Sequence, residues 1–141
     1  MTKDELIKSN EKKKEYLKSY IPMVKRAKLL QEEINQLKLA KMYPSVVNDG
    51  MPHGSSLGDL SSYIAELDRL ERFLIEAKRD CFNKYTEILS KIELLEDATE
   101  RNLLLLKYIR GMKWEEICVE LAYEWTWVHK LHRDALKHFQ L

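Results

Sequence analysis

From Leu60 to Leu95 apolar residues recur every three or four positions, through Ile64, Leu67, Leu70, Leu74, Ala77, Cys81, Tyr85, Ile88 and Ile92. Only an α-helix gathers positions so spaced into one stripe. Residues 59–95 are therefore expected to form one helix, spanning roughly 55 Å at 1.5 Å per residue. A second stripe precedes it, with Met23, Ala27, Leu30, Ile34 and Leu37 at heptad spacing. As a helix over residues 22–43 it would reach only about 30 Å. The shorter helix can cover only part of the longer one. The remaining apolar face must meet the N-terminal segment, the C-terminal part or a second subunit, because a long apolar stripe left in water is costly. The chain is thus expected to be all-α, with an N-terminal helical hairpin, and to form a homodimer.

Charge supports that pairing. Residues 1–43 carry 11 Lys or Arg against 6 acids, and residues 59–100 carry 6 against 11. The net charge of the 141-residue chain is only +1, so the whole protein is not a basic coat for nucleic acid. Basic surplus reappears in residues 101–141, with 7 Lys or Arg against 5 acids.

Local signals divide the rest. Thr2-x-x-Glu5 has the spacing of a capping box, and Pro22 predicts a break or kink near Tyr20. Lys12, Lys13 and Lys14 read as a solvated helix face, with contact to DNA phosphates as the alternative. Residues 43–58 hold Gly50, Gly54, Gly58, Pro44 and Pro52, with Asn48-Asp49-Gly50 as a turn signal. They read as a connecting loop, with an arm reaching a DNA groove as the alternative. Asp97-x-x-Glu100 looks like a second capping pair. The expected division is residues 1–95 as a helical part and 96–141 as a separate domain.

In that last part Trp114, Ile117, Cys118 and Leu121 mark one helix face, preceded by Gly111, where the previous helix needs a residue tolerating positive φ. Leu103–Leu106 is apolar on all sides and should lie between neighbours. After a break at Ala122-Tyr123, a final helix over residues 124–140 puts Val128, Leu131, Ala135 and Phe139 on one side. Thr126, His129, Lys130, Arg133, Lys137 and Gln140 fall on the other. Three helices in this order, ending in one with a polar, cationic face, describe a helix-turn-helix whose last helix enters the major groove of double-stranded DNA. Thr126 and His129 are placed for base edges, Arg133 for a guanine or a phosphate, and Lys130 and Lys137 for phosphates. Trp125 either packs on a sugar or a thymine methyl or covers the turn. Trp127 points sideways and is expected to pack. His132 lies near the buried side and is expected to be a satisfied structural histidine.

The run Arg101–Phe139 resembles region 4 of bacterial sigma-70-type factors. The matching points are Leu103–Leu106 with Lys107-Tyr108, Gly111, Glu116-Ile117, Leu121, Val128, His132-Arg133 and Ala135-Leu136. The chain as a whole is similar to small phage and prophage regulators of the ArpU and RinA type. That resemblance covers about the last third at the level of motifs and implies a phage-encoded activator of late-gene transcription in a bacterial cytoplasm. Because sigma region 4 also docks on RNA polymerase, it leaves open a module that binds polymerase or a sigma factor. A DNA-recognition subunit of a phage packaging complex is a third reading. Two departures stand out: Ala122 occupies the turn position usually held by Gly, and Trp125 and Trp127 replace smaller or polar residues.

No catalytic constellation emerges from the sequence, and no cofactor is expected. The Gly50–Gly58 stretch lacks the Lys-Ser/Thr ending and the preceding strand of a phosphate loop. His129-x-x-His132 has no Cys or acid spaced to complete a metal site. Cys81 and Cys118 sit on apolar faces and read as reduced core thiols. No apolar run reaches membrane-spanning length.

Overall fold

A computed structural model describes residues 2–42 and 57–141. Its helices are α1 (Lys3–Lys18), α2 (Tyr20–Met42), α3 (Leu57–Ile92), α4 (Ala98–Leu104), α5 (Trp114–Leu121) and α6 (Trp125–His138). A π-helical turn, Leu105–Ile109, continues α4. Among the described residues there is no strand, and the chain is all-α. The loop expected over residues 43–58 lies, up to residue 56, outside the described residues.

Local rules account for most helix ends. Thr2 caps α1 as a full capping box, its Oγ1 accepting from the Glu5 N–H at 3.3 Å while Glu5 accepts from the Thr2 N–H at 2.9 Å. α1 stops at Lys18 because Pro22, four residues on, has no N–H for the Lys18 carbonyl and its ring crowds that group. Pro22 then sits in the first turn of α2, where a missing N–H costs nothing. Asp97 caps α4 by accepting from Thr99 and Glu100 N–H groups at 2.8 and 3.0 Å. The expected reciprocal bond from Glu100 is replaced: its carboxylate turns inward to His138 Nδ1 at 3.0 Å.

The chain forms two compact units, Met1–Met23 with Cys81–Leu141, and Val24–Asp80. The second is a helical hairpin of α2 and α3 segments whose buried residues include Ile34, Leu74 and Ala77. Lys41 lies over the Tyr63 ring, 5.6 Å from its centroid. The boundary expected between residues 95 and 96 is not where these units part. The first unit takes in α1 and the end of α3, because Leu17, Ile88, Ile92 and Leu95 share one core with Leu104, Tyr108, Ala135, Leu136 and Phe139. Burying side chains of this size contributes about 1.5–3 kcal/mol each, so α1 is part of the body that carries α6.

A second cluster, built on Leu103, Ile117 and Val128, joins α4, α5 and α6. Leu103 and Leu104 are both fully buried and face different clusters, which is how an all-round apolar helix is accommodated. Leu105 and Leu106 are only partly buried, at the edge of each cluster.

Candidate nucleic-acid interface

Two left-handed turns hold the last three helices in place. Gly111 has φ +66° and follows the π-helical turn, where the Met112 N–H donates to the Leu106 carbonyl at 3.0 Å. A Cβ at Gly111 would approach Ile21 Cδ1 to 3.3 Å, so both backbone conformation and space favour glycine. Between α5 and α6, Ala122 has φ 57° and ψ 42°. The Tyr123 N–H donates to the Cys118 carbonyl at 3.1 Å and the Ala122 N–H to the Val119 carbonyl at 3.2 Å. This is a Schellman ending with alanine in the position that usually takes glycine.

α6 is sharply two-sided. Val128, His132, Ala135 and Leu136 are buried, and Phe139 just beyond the helix is fully buried. Leu131 packs partly buried against the second cluster. Thr126, Lys130, Arg133 and Lys137 are exposed, as is Gln140 past the helix end. The Lys130 ammonium lies 5.2 Å from the Trp127 ring centroid, a cation–π contact that partly orients it.

His129 departs from the expected outward position. It is half-buried, its ring centroid 4.6 Å from Trp114 and 4.4 Å from Trp125. Its Nε2 is buried and has no hydrogen-bond partner among the described residues. The cause is contact with these two bulky indoles, which lie tilted against the ring. Trp125 and Trp127 remain 50% and 49% exposed. Trp127 makes an edge contact with Tyr123, 6.3 Å between centroids, and a cation–π contact with Lys130.

His132 is buried and bonded to the Tyr108 hydroxyl through Nε2 at 2.6 Å. Burial pushes its pKa down from 6.5 to about 3, aided by the positive charges of Lys14, Lys107 and Lys18 and by His129. The ring is neutral at physiological pH, and it joins α6 to the π-helical turn. Burial also pushes the Tyr108 hydroxyl upward, so a neutral hydroxyl meets a neutral imidazole.

Cations outside α6 divide into tethered and open. Lys13, read from sequence as part of a solvated cluster, donates to the Leu136 and Lys137 carbonyls at 2.8 and 3.3 Å. It thereby satisfies the C-terminal carbonyls of α6 from α1 and complements the negative end of the helix dipole, while burial lowers its pKa. Lys107 lies over the Trp114 ring at 4.5 Å, and burial lowers its pKa as well. Arg110 and Lys113, flanking the Gly111 turn, are exposed. Helical spacing gives no signal for them, since they lie outside the amphipathic helices, although Arg and Lys are common donors to phosphate oxygens.

Among the described residues no three His, Cys, Asp or Glu side chains are placed to hold a metal, and no helix is long and apolar enough to cross a membrane. No family model, curated protein or solved structure matches the sequence.

Proposed function

We propose that the protein is a sequence-specific DNA-binding regulator of transcription that reads the major groove with α6. The two-sidedness of α6 supports this. Its apolar face is fixed by two core clusters and its other face leaves Thr126, Lys130, Arg133 and Lys137 open. Thr126 is in the first turn, where a recognition helix meets base edges, and Lys130, Arg133 and Lys137 follow along the same strip at helical spacing. Arg110 and Lys113 add exposed charge at the turn before α5. His129 is withdrawn from direct readout and instead braces Trp125. The resemblance of Arg101–Phe139 to sigma region 4 is consistent with this reading and, with the ArpU and RinA type, suggests a phage activator.

Homodimerisation is part of the proposal. α3 leaves Ile64 and Ile75 more than half exposed in the single chain, and light scattering would give the mass. The DNA-binding reading is tested by gel shift on duplexes enriched from a random pool. Arg133→Ala is expected to weaken binding by about 1–3 kcal/mol if the contact is bidentate to guanine. Lys130→Ala is expected to lower the salt slope by about one unit. Unchanged affinity and salt slope in both variants would remove α6 from the interface.

A further inference from the structure

The first turn of α6 presents apolar surface on both flanks of its cationic strip. Trp125, Trp127 and the neighbouring Tyr123 are 50%, 49% and 41% exposed. These rings are held in place. Trp125 lies tilted against His129, and His129 in turn lies tilted against Trp114. Trp127 has Tyr123 at its edge and the Lys130 ammonium against its ring. Each indole therefore has one side braced and surface still open beside Thr126, with Lys130 and Arg133 in the turns that follow.

A ligand matching this arrangement is apolar at a few points and anionic around them. The major groove of duplex DNA has that character. The thymine C5-methyl is the apolar group on its base-pair edges, and the other groups there are hydrogen-bond donors and acceptors. Phosphates run along both sides. A helix entering that groove brings its first turn to the base edges, and there two braced indoles meet methyl groups. Because indole N–H groups are donors only, such rings discriminate by apolar contact rather than by bidentate pairing.

We infer that Trp125 and Trp127 read thymine through its methyl group, making the preferred DNA site dependent on thymine methyls opposite the start of α6. The inference rests on the proposed DNA-binding function. Its test starts from duplexes enriched out of a random pool by retention on the full chain. Each thymine of an enriched duplex is then replaced in turn by uracil, which keeps the base pair and removes the methyl. At one or more positions the affinity is expected to fall about fourfold, equivalent to ~0.8 kcal/mol for one buried methyl-sized group. In Trp125→Ala or Trp127→Ala, the ratio between thymine and uracil duplexes at such a position is expected to collapse to about one.

Uracil substitution acts on the unaltered protein, so the first arm does not depend on any variant folding. Indifference to uracil at every position overturns the inference. So does methyl sensitivity that persists in both Trp variants, which assigns the methyl to another side chain. Full DNA affinity in both variants also overturns it and leaves the indoles to a protein partner. Failure to retain any duplex overturns the DNA-binding reading itself, before the uracil comparison is reached.

Discussion

Acid is expected to destabilise the unit that carries α6 through His132. Its imidazole is 5% exposed, bonded to Tyr108 and held neutral, with a pKa depressed from 6.5 to about 3. In the unfolded chain the same ring takes up a proton near pH ~6.5. Above that pH neither state binds the proton, and this histidine gives no pH dependence. Below it only the unfolded state does, so stability falls as pH falls, by about 1.4 kcal/mol per pH unit. By pH ~4.5 the loss from this one group is roughly 2.5–3 kcal/mol, a large part of the ~5–15 kcal/mol that holds a domain together. The assay is urea unfolding followed by tryptophan emission, because Trp114, Trp125 and Trp127 all belong to this unit. His132→Gln is the control, since an amide can still accept from Tyr108 but does not titrate. Other histidines and the carboxylates contribute to both proteins, so the difference between the two curves isolates His132. The stability of the unaltered chain minus that of the variant should fall by roughly 2.5–3 kcal/mol as pH goes from ~6.5 to ~4.5. Parallel curves across this range would refute the reasoning and show that His132 is solvated or protonated in the native state.

Further expectations concern the scaffold of α6. Ala122→Gly relieves a left-handed alanine in the turn before α6, and should raise stability by about 1 kcal/mol, read as a higher urea midpoint with unchanged slope. Phe139→Ala empties a fully buried site where α1 and α6 meet one core, and should cost about 3–5 kcal/mol by the same assay. Lys13→Met removes the donor to the last carbonyls of α6 while keeping an apolar stem. It should destabilise by about 1 kcal/mol, less at high salt.

The parts of the fold that were legible in the sequence depend on local chemistry. Pro22 disrupts bonding to Lys18 whatever the surroundings, and the Thr2 and Asp97 caps lie within three residues of the groups they bind. Gly111 marks a positive-φ turn because only glycine enters it freely. Helical spacing places Val128, Ala135 and Phe139 on the inner face of α6 and His132 beside it, and all four are buried. Pairings between distant segments were not legible. Nothing near Leu17 reveals that it shares one core with Ile88 and Phe139, far along the chain. Lys13 sits in a run of lysines whose composition suggests solvent, yet its partners lie more than a hundred residues away. The position of His129 on the helical wheel is outward. Contact with the indoles of Trp114 and Trp125 leaves the ring half-buried instead, and a wheel does not represent side-chain volume.

Whether α6 reads DNA sequence is decided by fluorescence anisotropy of the full chain with labelled duplex DNA, comparing random-sequence duplex with one enriched from a random pool across a salt series. Binding to the enriched duplex should be tighter and weaken with salt, and that preference should be lost when Thr126, Lys130 and Arg133 are replaced together by alanine. No binding at low salt, or equal binding to both duplexes that the triple variant retains, would contradict that reading.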